Sequence, residues 1–324
     1  MAHVFLIGIG AGAASALLFA SVASGSPLSV LLFYLAPLPI LIAAMGWSHW
    51  AALIAAVVAA TGLASLFGTF FFIAFLVGIG LPAWWLGYLA LLARPATGPT
   101  PDGLEWYPVG HLVFWAALIS AAVVIVGMVN LGSDEASFRA ALHQSIERVV
   151  RIQGGAQTPG TGTGSGPGLS ERVLDIMVAI LPIAAAVLTT ITSIVNLGLA
   201  GRIVKISGRL PRPWPDISAM RFPSYAPAIA GATVLASFLS GLPGIMANAL
   251  MASVLMAYAV LGFAVLHAMT RGAGSRPFIL GGVYAVVVVF FWPALILSML
   301  GLADTMFDFR GRAARKHKPP NPGT

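Results

Sequence analysis

The sequence predicts an all-α fold: a polytopic transmembrane helix bundle of eight or nine spans, with one amphipathic interfacial helix. Three observations carry that prediction. Residues 1–93 contain no Asp, Glu, Lys or Arg. The 324-residue chain is 59% hydrophobic and 8% charged, with a mean hydropathy of +0.94. Apolar stretches near the ~20 residues of one bilayer crossing recur along it, separated by short polar segments. A water-facing surface needs charges among its apolar positions. A hydrocarbon-facing surface excludes them, because a mid-membrane charge costs at least about 2.5–3.5 kcal/mol.

Composition narrows the function classes. Cysteine is absent, which removes disulfides, thiolate metal sites and Cys nucleophiles. The net charge of +7 sits in loops and the C-terminal tail, as expected for residues flanking membrane spans. No basic helix with interleaved aromatics accompanies it, so the expected partner is the bilayer and not nucleic acid. Ser21-Val22-Ala23 has a small-x-small pattern, but Met1-Ala2-His3 supplies no basic n-region. An uncleaved first span is expected.

The N-terminal membrane bundle covers 1–131, with about five hydrophobic segments. The first is Val4–Ala23, where Gly8 and Gly12, then Ala16 and Ala20, give the small-xxx-small spacing that lets helices approach closely. The second, Leu28–Met45, is interrupted by Pro37 and Pro39, whose freed carbonyls need new partners in lipid. Gly46–Trp50 reads as an interfacial turn with both Trp rings at headgroup level. Segments Ala51–Phe67 and Phe70–Leu92 follow, the latter kinked at Gly80-Leu81-Pro82. After a polar loop, Arg94–Tyr107, comes the fifth segment, Pro108–Leu131.

Residues 132–153 then change pattern. Phe138, Leu142, Ile146 and Val149 lie on one side of a charged helix, with Ser133 as N-cap. Glu135/Arg139 and Glu147/Arg151 are favourable i,i+4 pairs. This amphipathic helix either lies on the interface or docks on the bundle, and its other reading is a partner-binding surface. Residues 154–169 form a flexible Gly/Thr/Pro linker. The C-terminal bundle, 170–301, has three or four spans around a basic, Pro-rich loop, Arg202–Arg221. Residues 302–324 are a basic tail, expected to be disordered from Ala313.

Nine full crossings would divide the 17 Lys and Arg almost evenly between the two sides. That breaks the positive-inside expectation. One re-entrant C-terminal segment would place loop 202–221 and the tail together. The candidates are the short seventh segment, Tyr225–Ser240, and the ninth, Phe278–Leu300, broken by Pro293. The basic loop is the expected cytoplasmic side.

Motifs for catalysis are weak. Gly8–Ala13 mimics a dinucleotide fingerprint, but the first acidic residue is Asp102, far from the required position. The six His residues show no i,i+3 or i,i+4 spacing, so no metal or cofactor is expected. No span interior carries a charge, which disfavours a pump built on buried carboxylates. Polar side chains remain: Asn130, Thr189, Thr190, Thr192, Ser193, Asn196, Asn248, Tyr34 and Tyr258. They are either interhelical glue or the lining of a pocket for a neutral, partly apolar molecule.

Three features resemble the YybS-like family of bacterial multi-pass membrane proteins, a domain of unknown function. Pro37-Leu38-Pro39 is followed by Gly46-Trp47. Asn196–Arg202 leads into the Pro-rich loop that ends at Phe222-Pro223. Gly301–Asp304 precedes Phe307–Arg310 after the last hydrophobic segment. The resemblance implies a location in the bacterial inner membrane. The family's layout is similar to substrate-capturing S components of energy-coupling-factor transporters, which implies no catalytic residues.

Two functional readings follow. One is a non-enzymatic, transporter-like protein that binds a small molecule between helices, at Tyr34, Pro37, Pro39, Thr189, Thr192, Asn196 and Asn248. The alternative is a membrane scaffold or assembly factor acting through helix 133–152 and loop 202–221.

Overall fold

The computed structural model describes residues 2–96, 98, 103–153 and 171–316. The expected linker 154–169 and the chain beyond Lys316 lie outside these residues, as does the Arg151 side chain expected to pair with Glu147.

The described chain is helical apart from a two-stranded ribbon. Seven stretches are long and apolar enough to cross a membrane: Ala2–Ser24, Pro27–Gly46, His49–Phe67, Thr69–Ala90, Val109–Leu131, Ile176–Ile206 and Gly241–Met269. Helix α1 (Ala2–Ala20) packs on α4 (His49–Phe67). A methyl group at Gly8 or Gly12 would collide with Ile54 or with the Ala55 carbonyl, so the small-residue spacing has the predicted use. On α4, Ala51, Ala52, Ala55, Ala56, Ala59 and Ala60 are fully buried, with Ala51 and Ala55 toward α1 and Ala56 against Gly80.

The prolines break the second segment where expected, into α2 (Pro27–Tyr34) and α3 (Pro37–Gly46). The fourth is α5 (Thr69–Phe75), a π-helical turn at Leu76–Gly80 and α6 (Leu81–Ala90), which gives the kink its physical form. The loop after it holds β1 (Ala93–Pro95) and β2 (Leu104–Trp106), paired antiparallel with Arg94 opposite Glu105. Helix α7 (Val109–Leu131) leads to α8 (Glu135–Gln153). Asp134, not Ser133, caps α8: its carboxylate accepts the Ser137 N–H at 2.9 Å, and the Ser137 hydroxyl accepts the Asp134 N–H at 3.2 Å. The predicted apolar stripe of α8 is docked. Phe138, Leu142 and Ile146 are buried with Met128, Val178 and Leu242.

Two boundaries differ from the sequence reading. Helix α9 (Glu171–Ile206) runs past Arg202, because no helix breaker intervenes before Gly208, which adopts a left-handed φ of 67°. The loop is therefore a strap at residues 207–225, and Arg202 and Lys205 are helical. Helix α10 (Ala226–Ala236) is short, and α11 (Gly241–Met269) is the most buried span.

The ninth segment is not one helix. It is α12 (Arg276–Phe290) and α13 (Pro293–Phe307), separated by Phe291 in left-handed backbone, φ 58°. At 15 residues each, they reach about 22 Å, short of a ~30 Å hydrocarbon core. Helix α12 descends antiparallel to α11, with Tyr284 stacked on Phe263 at 4.7 Å. Helix α13 returns along α11, where Gly262 and Gly301 allow backbone contact with Leu297 and Tyr258. Its end, followed by α14 (Phe309–Lys316), meets the strap: Arg310 donates to the Ser218 and Met220 carbonyls at 2.8 Å. The pair is a hairpin that starts and ends at the strap, so strap and α14 share one end of the bundle, as the re-entrant reading expects.

Candidate functional site

The polar residues singled out in the sequence divide into separate places. Pro37 has no N–H, and Leu38 turns its own N–H to Leu35, so the Tyr34 carbonyl loses its helical donor. Asn196, 1% exposed, fills the gap: its Nδ2 donates to the Tyr34 carbonyl at 2.8 Å and to the Thr192 carbonyl at 2.8 Å. Tyr34, Pro37, Thr192 and Asn196 thus form one junction between α2–α3 and α9. Pro39 sits in the first turn of α3 beside it, where a missing N–H is tolerated. Thr189 lies one turn below, its carbonyl accepting the Thr192 hydroxyl at 3.0 Å, and Asn248 lies elsewhere. Ser253 of α11 meets the Ala186 carbonyl of α9, which sets the two helices at one level. Asn196 is then about 15 Å from that level toward the strap, and Asn248 about 8 Å the other way. The seven candidates do not converge on one pocket.

A cavity does form, one turn away from the junction. Its volume is about 160 Å³. Met45 of α3, Leu112 of α7, Ile194 and Leu197 of α9, and Val260 of α11 form its walls. The strap closes it with Trp214, Ile217 and Met220. Its one charged wall residue is Arg212. The Arg212 Nη1 donates to the Ala90 carbonyl at 2.8 Å, and the guanidinium faces the Trp106 ring at 5.9 Å. The Nε–H is buried without an acceptor among the described residues. Burial pulls the Arg212 pKa below the ordinary guanidinium value, though an arginine stays charged.

The strap is held down by paired charges and rings. Lys205 lies over Trp214 at 4.9 Å, and Arg209 over Trp47 at 4.6 Å. Of these rings, Trp47 is one of the two expected at the interface. Asp216 pairs with Arg271 at 2.7 Å and also accepts from Ser218. The Ser218 hydroxyl, then Arg271, hold the Asp216 carboxyl at a pKa of about 2. Arg310 closes the far side through its pair with Asp304, at 2.7 Å and with side-chain exposures of 10% and 4%. The residues quoted for the family resemblance are therefore joints: Pro37 with Asn196, and Asp304 with Arg310.

This site was only partly readable from sequence. Arg212, Trp214 and Arg271 were visible as flanking charges and a loop aromatic. Nothing in their spacing shows that the strap folds inward over a gap between α7, α9 and α11. Among the described residues no three His, Asp or Glu gather as a metal site. The apolar stripe of α8 and the cations of the strap, the basis of the scaffold reading, are engaged within the molecule.

Comparison with known proteins adds the lineage. The family described as predicted membrane protein (DUF2232) matches residues 13–305. The chain belongs to that family. The match runs from within α1 to near the end of α13, with strap and hairpin included. No curated protein and no solved structure matches the chain. As a member of DUF2232, it is a multi-pass membrane protein whose family description carries no activity.

Proposed function

We propose that this DUF2232 protein is a non-enzymatic, transporter-like membrane protein that holds a small, largely apolar molecule in the cavity under the strap. The supporting observation is the cavity itself: apolar walls from five spans, with the strap lying across it. An apolar cavity of roughly 150 Å³ in another protein stays dry and takes up benzene. The 160 Å³ here is of that size. Asn196, between lining residues Ile194 and Leu197, would fix the path of α9 past the ligand. Thr192 and the Tyr34–Pro37 break would act through the same junction. Energy for transport would come from a partner, since the sequence has no nucleotide-binding motif. The strap end would face the bacterial cytoplasm, because it gathers the basic residues.

A thermal-shift screen of the detergent-purified protein against small apolar and aromatic metabolites tests this. A ligand at 100 times its dissociation constant should stabilise by about 2.7 kcal/mol. Gly198 lines the cavity, and a side chain there meets nothing within 4 Å. Gly198→Leu should fill the space and erase the shift. A screen with no shift, or an equal shift in Gly198→Leu, would sink the proposal.

A further inference from the structure

A second recess, more open and about 660 Å³, adjoins the cavity. Trp214, Pro215, Ile217 and Val260 line both spaces, so the two meet at those residues. The recess differs in chemistry. It contains Arg271, Arg276, His267, Asp216, Ser218 and Tyr284. Building on the reading above, the geometry points to one ligand class for that site: a compact anionic amphiphile. Its apolar body occupies the cavity and its carboxylate or phosphate head sits in the recess.

Charge supports the head. Asp216 already balances Arg271. Arg276 is half-buried at the start of α12, and among the described residues no carboxylate pairs with it. The recess therefore has a surplus positive charge at the membrane surface, where an anion is attracted and only partly screened. His267 has its Nδ1 2.9 Å from the Phe263 carbonyl, which puts the ring proton there and leaves Nε2 outside that bond. The stacked pair Tyr284 and Phe263 fixes the floor that presents His267 and Arg276.

Size supports the body. A benzene-sized space accepts on the order of six carbons. A diacyl phospholipid carries chains several times longer. The source of the anion is thus a small amphiphile and not a bilayer lipid headgroup.

Titration calorimetry on the full-length protein in an uncharged detergent tests the assignment, with hexyl phosphate, hexanoate and hexanol as probes. The two anions are expected to bind at least tenfold tighter than hexanol. Arg276→Gln should reduce hexyl phosphate to the affinity of hexanol and leave hexanol unchanged, so hexanol also reports that the variant is folded. Rising salt should weaken the anions only. Hexanol binding as tightly as the anions, or full hexyl phosphate affinity in Arg276→Gln, would overturn the head-group assignment while leaving the cavity reading intact. Failure of all three probes would overturn both. Displacement of hexyl phosphate by dipalmitoyl phosphatidic acid at equal concentration would assign the recess to a lipid headgroup and overturn the compact-ligand claim.

Discussion

Asn196 shows how one side chain settles a backbone problem. A proline in a membrane helix frees a carbonyl, and hydrocarbon offers no donor. The freed group is at Tyr34, and its donor comes from a helix 162 positions further along the chain. The sequence marked Pro37 as a break and Asn196 as a buried polar residue, but nothing in it links the two. Replacing Asn196 by Ala should leave the Tyr34 carbonyl unsatisfied and cost about 1–2 kcal/mol, within the usual range for an orphaned buried group. Thermal denaturation in detergent should show a lower midpoint for Asn196→Ala than for Asn248→Ala. Equal midpoints would mean that the junction adds nothing beyond ordinary packing.

The strap is the element that covers one end of the bundle and supplies part of the cavity wall. Its composition, rich in Pro and Arg, reads in sequence as a solvated loop, and on that reading its partners would be external. The structure instead lays Lys205 and Arg209 on Trp rings and ties residues 216–220 to the ends of α11 and α13. Arg310 makes the tie at Ser218 and Met220, and its buried pair with Asp304 holds it in place. Removing one partner of such a pair strands the other charge, at about 3–5 kcal/mol, while replacing both by apolar residues can be close to neutral. Arg310→Ala should therefore destabilise strongly, and Asp304→Leu combined with Arg310→Met should recover most of the loss. Limited proteolysis within 207–221 should accelerate in Arg310→Ala more than cleavage anywhere in the transmembrane helices. Unchanged cleavage would show that the strap is held by its aromatic stacks alone.

For the molecule as a whole, hydropathy made the class legible and left the count unsettled. Residues 1–93 without a charge forced a membrane bundle, and Gly8 and Gly12 marked a true contact face. What hydropathy cannot register is a chain reversal inside hydrocarbon: Phe278–Leu300 is apolar throughout, and the turn at Phe291 is set by packing of α12 and α13 on α11. Charge was the better guide. With the hairpin re-entrant, Arg94, Arg271, Arg276, Arg310 and the strap cations share one end. Among the described residues, Arg139, Arg148, Arg151 and Arg172 follow from the other. That asymmetry satisfies the positive-inside rule and makes the strap end the expected cytoplasmic face. The cysteine-free chain allows a direct test with single cysteines and a membrane-impermeant maleimide. Ser207→Cys, Ser275→Cys and Arg312→Cys should label together in inside-out vesicles. Ser24→Cys and Gln144→Cys should label in right-side-out vesicles, and Trp292→Cys, at the hairpin tip, in neither. A ninth full crossing would instead put Arg312→Cys on the face of Ser24. The position of residue 312 relative to 275 therefore decides between a hairpin and a span, and with it whether strap and tail can meet at all.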